Sequence, residues 1–227
     1  MESETNFFEE ERKLQESFRQ TVERLCNYPQ EIEGVYDQKR EFRLKKLCEL
    51  LQESGVEFTV QESEGYRNVV CRFGEGIPKL IVSGHYDAVD ASPGANDNAS
   101  SVSLCVELAK RLQEAEAHPY QHGIEVIFFD GEEDKLKGSR QFVRSAEFKD
   151  VSAVINLEFV GIGDTPILWP VSEKNAELAS FLTDKNEEVQ KFPQPEGINS
   201  DHTSFLEQGI PAMKIPHRKR CGIGILP

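Results

Sequence analysis

KLIVSGHYDAVDASPGANDNASSVSLCVELAKRL, residues 79–112, is the stretch whose reading decides the fold. Its first residues, Lys79–Ser83, form a short apolar run of the kind that pairs inside a sheet. A polar loop with Gly, Pro, Asp and Asn follows. From Ala99 to Leu112 the period becomes helical, with Val102, Leu104, Cys105, Leu108 and Leu112 on one stripe. Strand, loop and helix in this order form the repeating unit of an α/β domain.

The pattern continues on both sides. Downstream, the spacing predicts a strand at Ile124–Phe129, apolar apart from Glu125, and a helix near Ser139–Ala146. Further strands are expected at Ala153–Leu157, Pro166–Leu168 and around Ala212–Ile215, with a helix from about Ser172 to Gln190. Lys191–Ser200, with Pro193, Pro195 and Gly197, reads as a loop that could border a site. Upstream, two helices are expected at about 5–27 (Phe7, Leu14, Phe18, Val22, Leu25) and Asp37–Glu53 (Leu44, Leu47, Cys48, Leu51), with Gly55 beyond the second. Strands follow at Glu57–Val60 and Asn68–Phe73. The whole predicts an α/β fold: a central mixed, mostly parallel sheet flanked by helices. One domain spanning 1–227 is expected, with the N-terminal helices at about 5–53 packed on it.

Composition narrows the partners. A net charge of −14 leaves nothing to displace counterions from a nucleic-acid backbone, and argues against an anionic membrane surface. The acidic N-terminus MESETNFFEEERK is not a signal peptide, and no apolar run approaches a membrane span. Cys26, Cys48, Cys71, Cys105 and Cys221 are scattered and odd in number, which suits reduced thiols and a cytoplasmic protein.

The chemistry-bearing residues stand where predicted strands end or loops begin. In Gly84-His85-Tyr86-Asp87, Asp87 is placed to anchor one ring nitrogen of His85 and leave the other for a metal; the plainer reading is a loop histidine bonded to Asp87. In Gly94-Ala95-Asn96-Asp97-Asn98-Ala99, Asp97 could bridge two cations, or Asp97 or Asn98 could simply cap the following helix. After the Ile124–Phe129 strand, the adjacent acids Glu132 and Glu133 would repel if desolvated. A metal on Glu133 relieves that and leaves Glu132 free as a base, whereas a solvated acidic turn with Asp134 needs no metal. Glu158 follows an apolar strand, where a lone charge is costly. Asp201-His202 follows the Pro-rich loop, and His202 alone would pass for a surface residue. His118, His122 and His217 lie outside this set and read as surface residues. Three parallel strands would bring His85, Glu132, Glu133 and Glu158 to one edge of the sheet.

Taken together, SGHYDAVDASPGANDNASSVSLCVELAKRL, VIFFDGEEDKLKGSRQFV, INLEFVG and SDHTSFLEQGIPA resemble the M28 peptidase family of zinc aminopeptidases and their relatives, from Lys79 to Ala212. The resemblance implies a zinc-exopeptidase fold and two zinc ions per chain, or one. One ion would sit on His85, Asp97 and Glu158, the other on Asp97, Glu133 and His202, with Asp97 bridging. Glu132 would be the general base, Asp87 would orient His85, and the Asp97–Asn98 peptide would be cis. The implied substrate is a peptide or small amino-acyl compound with a free amino terminus.

Three departures qualify it. Glu158 stands where many two-zinc members carry aspartate. The C-terminus after His202 is atypically short and ends in IPHRKRCGIGILP. No tyrosine follows Tyr120 to assist an oxyanion. Glutaminyl cyclases share the fold and keep one zinc, on positions matching Asp97, Glu133 and His202, but their indole-lined pocket has only Trp169 to draw on. A degenerate member acting as a binding module is the third reading. GxSxG, HExxH, P-loop and GxGxxG motifs are absent.

Overall fold

The computed structural model describes residues 2–115, 122–184, 189–191 and 199–218, with side chains from Phe8 to His217 within these ranges. Two helices, α1 (Glu2–Cys26) and α2 (Tyr36–Glu53), precede β1 (Thr59–Ser63), β2 (Tyr66–Phe73) and β3 (Lys79–His85). Next come α3 (Ser100–Glu114), β4 (Gly123–Phe129), α4 (Lys137–Phe142), β5 (Val151–Leu157) and β6 (Thr165–Leu168). The chain continues through α5 (Ala176–Asp184), β7 (Gln190–Lys191), α6 (His202–Leu206), β8 (Ala212–Ile215) and β9 (His217–Arg218). Six strands form one sheet in the order β1-β2-β4-β3-β5-β8. Its half from β4 to β8 is parallel, and β1 and β2 add antiparallel. The mixed, mostly parallel sheet expected from the sequence is therefore present.

Alternation along the strands divides the apolar residues between the two sheet faces. Val69 and Cys71 of β2, Val82 of β3 and Val126 and Phe128 of β4 face α1, α2 and α3, and pack with Leu25, Leu47, Leu51, Val102, Cys105 and Val106. The intervening Val70, Ile81, Ile127 and Phe129 face the other way, onto Phe142 of α4, Phe205 of α6 and Val154. The sheet is thus covered on both sides, as a parallel sheet of apolar strands requires. Glu125, the one charge inside β4, is buried and paired with Lys79 at 3.0 Å and Arg72 at 3.4 Å.

Several expectations shift. The first strand runs over Thr59–Ser63 rather than Glu57–Val60, because it is a polar edge strand placed by its hairpin with β2, turned at Glu64 and Gly65 with φ of 48° and 84°. Of the helix expected over Ser172–Gln190, the described part is α5, preceded by the short turn Glu173–Asn175, and residues 185–188 lie outside the described residues. Gln190 pairs with Ile167 as a strand, a long-range partner that side-chain spacing cannot reveal. The short α6 had no counterpart in the sequence reading. Phe7, His118, Tyr120, Pro193, Pro195, Gly197, Cys221 and the chain end lie outside the residues whose side chains are described. Cys26, Cys48, Cys71 and Cys105 are free thiols. Among the described residues no helix is long and apolar enough to cross a membrane.

Candidate metal centre

The parallel pairing of β4, β3 and β5 aligns three strand ends. His85 is the last residue of β3 and pairs with Phe129, the last of β4. Ser83 pairs with Asn156, so Glu158 emerges just beyond β5 on the same edge. Asp97 sits in the turn Ala95–Ala99 ahead of α3, and His202 opens α6 before β8. The carboxyl edge of the sheet therefore carries every one of these side chains.

His85, Asp97 and Glu133 meet closely. One donor atom from each lies within 4.8 Å of the others, and His85 Nε2 is 3.1 Å from Asp97 Oδ1. A second trio, His85, Glu132 and Glu158, satisfies the same distance. Crowding shows in the titration of these groups. Burial pushes the Glu132 carboxyl up to about 9 against the pull of His85, with Asp201, Glu158 and Asp87 adding to the rise. Burial likewise pushes Glu133 up to about 7 and Asp201 up to about 7. Burial opposes a charge on His85, but Glu132, Asp87 and Asp97 outweigh it and hold the imidazole well above its usual range. This is a pocket with an excess of carboxyl groups.

Asp87 organises the pocket from behind. Its Oδ1 accepts the Glu132 backbone N–H at 3.1 Å and its Oδ2 accepts that of Glu133, also at 3.1 Å. The Tyr36 hydroxyl donates to Oδ2 at 2.7 Å. His85 Nδ1 lies 3.4 Å from Oδ1 and 3.2 Å from the Asp87 carbonyl, which leaves Nε2 turned to the pocket. Burial opposes the Asp87 charge, yet His85 and these donors hold its carboxyl below the usual range. Gly131 makes the bend that presents both amides: its φ is +64°, and a Cβ there would lie 2.5 Å from the Tyr66 ring.

The loop between His85 and Asp97 is held by α2. The guanidinium of Arg43, fully buried, donates to the carbonyls of Tyr86, Asp87, Pro93 and Gly94. The ammonium of Lys39, one turn earlier, donates to the carbonyls of Val89, Asp90 and Ser92. Tyr36, Lys39 and Arg43 are supporting residues that the sequence reading passed over. Polar residues at helical spacing read as a solvent face, and only the loop they capture shows otherwise.

Neither Asp97 nor Asn98 caps α3, which has no side-chain cap. The Asn98 amide instead brackets position 158: its Nδ2 donates to Leu157 O at 3.0 Å and its Oδ1 accepts the Phe159 N–H at 3.3 Å. Asn96 Oδ1 accepts the Gly161 N–H at 2.9 Å. The Asp97–Asn98 peptide is cis, as the resemblance implied. These bonds fix Asp97 against the end of β5.

Glu158 and His202 depart from the expected geometry. Both Glu158 oxygens are engaged, Oε1 by the Ser200 hydroxyl and Oε2 by the Lys214 ammonium at 3.0 Å. His202 joins neither trio among the described residues. It is nonetheless fully buried, and both its ring nitrogens lack a hydrogen-bond partner. Burial and the neighbouring Lys214 hold it down to about 3, so the ring is neutral, the form that ligates metals. His122 is exposed as expected, whereas His217 is half-buried in β9.

The residues fit a divalent cation. Imidazole and carboxylate donors of this kind suit zinc. A buried Glu133 Oε1 without a partner and an unpartnered neutral His202 are polar atoms that a metal would satisfy.

A family model described as Peptidase family M28 matches residues 68–221. Aminopeptidase YwaD of Bacillus subtilis is 32% identical over 148 residues, 58% of this chain and 30% of that protein. A solved structure of a zinc aminopeptidase from Bacillus subtilis superposes with a TM-score of 0.58 at 26% identity, covering 71% of this chain and 42% of that one. The glutaminyl cyclase of Porphyromonas gingivalis superposes with a TM-score of 0.69 at 20% identity, covering 90% of this chain and 84% of that one, and shares the fold. The chain thus spans less than half the length of these two aminopeptidases from Bacillus subtilis.

Proposed function

The chain belongs to peptidase family M28, and on that footing we propose that it is a zinc-dependent aminopeptidase. The observation that carries this reading is the meeting of His85, Asp97 and Glu133 near the ends of parallel strands, with Glu132 outside that trio but within 4.8 Å of His85. A zinc ion held by His85, Asp97 and Glu133 would supply a Lewis acid that acidifies water and polarises a carbonyl. The protein's own residues do the rest. Glu132, whose burial gives it a high proton affinity, takes a proton from the attacking water and returns it to the departing nitrogen. Asp87 holds Glu132 by its backbone, so the base keeps its place through both transfers.

Substrate enters beside Glu133. An open cleft of about 520 Å³ is lined by Tyr36, Asp37, Tyr66, Val89, Asp90, Glu133 and Asp134. Four carboxyl groups around one opening favour a cationic group, which a peptide offers at its free amino terminus. That preference supports removal of N-terminal residues over internal cleavage.

A second reading, a one-zinc glutaminyl cyclase, draws support from the engagement of both Glu158 oxygens. Against it, the single tryptophan, Trp169, lies under Lys214 with 5.1 Å between ammonium and ring, and its indole nitrogen is buried. One experiment separates the readings: incubation of the zinc-loaded protein with amino acid para-nitroanilides and with an N-terminal glutaminyl peptide, each with and without chelator. Chelator-sensitive nitroaniline release is the expected result. Cyclisation of the glutaminyl peptide alone would favour the cyclase, and no turnover of either would leave a binding module.

A further inference from the structure

A chain of buried polar groups runs from the sheet into the pocket. Ser83 Oγ donates to Asn156 Oδ1 at 2.9 Å, Asn156 Nδ2 donates to Ser200 Oγ at 2.8 Å, and Ser200 Oγ donates to Glu158 Oε1. Lys214 Nζ, on β8, closes the chain on Glu158 Oε2 at 3.0 Å. Ser83, Asn156, Ser200, Glu158 and Lys214 are all 3% exposed or less. Lys214 also stacks over Trp169, which fixes the direction of its ammonium.

A lysine has no ordinary reason to be inside this sheet. Sequestering its charge from water is costly unless an anion meets it directly. Here it meets the one carboxylate that would have to coordinate a second zinc. Both oxygens of Glu158 already have a donor, and the second trio must also borrow His85 from the first. Among the described residues, the two trios therefore supply donors for one free-standing cation, and beside it Lys214 is a cation built into the chain.

We infer that the Lys214 ammonium takes the place of a second metal, so that the centre binds a single zinc on the side of Asp97 and Glu133. Lys214 is a positioning residue: it neutralises Glu158 and holds it away from the ion, with Ser200 keeping the other oxygen. The inference rests on the zinc reading above. The extra methylene of Glu158 has a purpose in this arrangement, since it lets the carboxylate reach back to β8.

The test is metal counting. Metal-free protein is loaded with excess zinc, washed by gel filtration and assayed for zinc per chain, and crystals are measured at the zinc absorption edge to locate the ions. The native chain should hold one zinc, on Asp97 and Glu133, and Lys214→Arg should also hold one. Lys214→Met should hold two, the new ion at Glu158. Two ions in the native chain would overturn the inference and leave the zinc reading intact, as would one ion in a folded Lys214→Met protein. No zinc in the native chain would sink the zinc reading itself. Circular dichroism reports whether Lys214→Met folds; if it does not, the native count and the position of its anomalous peaks decide the matter alone.

Discussion

The Glu132 backbone N–H donates to Asp87 Oδ1 at 3.1 Å, which ties the candidate base to the residue that orients His85. Oδ2 of the same carboxylate takes the Glu133 N–H. One buried side chain thereby sets the spacing among an imidazole, a ligand carboxylate and a base. Asp87→Asn tests this. An amide has one acceptor oxygen, so its NH₂ must face one of the two backbone donors and leave it unsatisfied. The expected cost is about 1–3 kcal/mol of stability and roughly 10–100-fold in zinc affinity. Thermal melts and competition with a chelator measure both. An Asn variant that binds zinc as tightly as the native protein would remove Asp87 from this role.

Glu132→Gln separates binding from proton transfer. Glutamine keeps the backbone bond to Asp87 and most of the volume, so zinc content should not change. Turnover should fall by roughly 10²–10⁴-fold, the usual contribution of a positioned base. An unchanged rate in a zinc-loaded Gln variant would show that another group moves the proton.

What the sequence disclosed and what it hid follow a physical division. His85, Glu133 and Glu158 were legible only together, since each alone has a plainer explanation, such as a loop histidine or a solvated acidic turn, and parallel pairing then brings the strand ends together. Asp97 was legible only in combination, since a turn before a helix usually supplies a cap. Its neighbour Asn98 turned out to bond across to β5 rather than to α3. Lys39, Arg43 and Tyr36 were hidden because periodicity marks apolar positions, and a polar side chain that runs inward to collect carbonyls looks the same as one that runs outward to water. Lys214 was hidden likewise, in a strand too short for its alternation to declare a face. Gln190 needed knowledge of a partner strand elsewhere in the chain.

The acidity of the pocket gives the metal-free protein a pH-dependent stability of definite sign. Glu132 and Glu133 are pushed up to about 9 and about 7, so between pH 7 and 9 the folded chain retains a proton on Glu132 that the unfolded chain has lost. A raised folded-state pKa stabilises at low pH and is lost as pH climbs through it. Stability should thus decline from pH 7 to 9, by up to about 1.4 kcal/mol per pH unit for each proton retained. The thiols of Cys26, Cys48, Cys71 and Cys105 are also raised by burial and act in the same direction. Zinc takes the place of the retained protons, so the zinc-loaded chain should show only the thiol slope. Parallel melts with and without zinc measure the difference, and two curves of equal slope would mean that these carboxyls do not carry the protons.

The last prediction concerns α2, which holds the loop running from His85 to Asp97. Arg43 donates to the carbonyls of Tyr86, Asp87, Pro93 and Gly94, and through Nε to Leu25 O at the end of α1. Arg43→Met fills much of the same space and removes every donor. Buried carbonyls without partners cost about 1–3 kcal/mol each where water cannot reach them, so the melting temperature should fall sharply. The effect should not be general loosening alone. With residues 86–94 released, His85 and Asp97 lose their common frame, and zinc affinity should drop while the far edge of the sheet, around β1 and β2, keeps its protection. Lys46→Met, on the same helix but in a surface pair with Glu49 at 2.7 Å, supplies the contrast; such a pair contributes at most about 1 kcal/mol and does not reach the loop. Amide hydrogen exchange resolves the two cases. Faster exchange confined to the loop and α2 in Arg43→Met, with none in Lys46→Met, is the expected pattern; an Arg43→Met protein with native zinc affinity and a native loop would show that the guanidinium serves only the packing of α1 on α2.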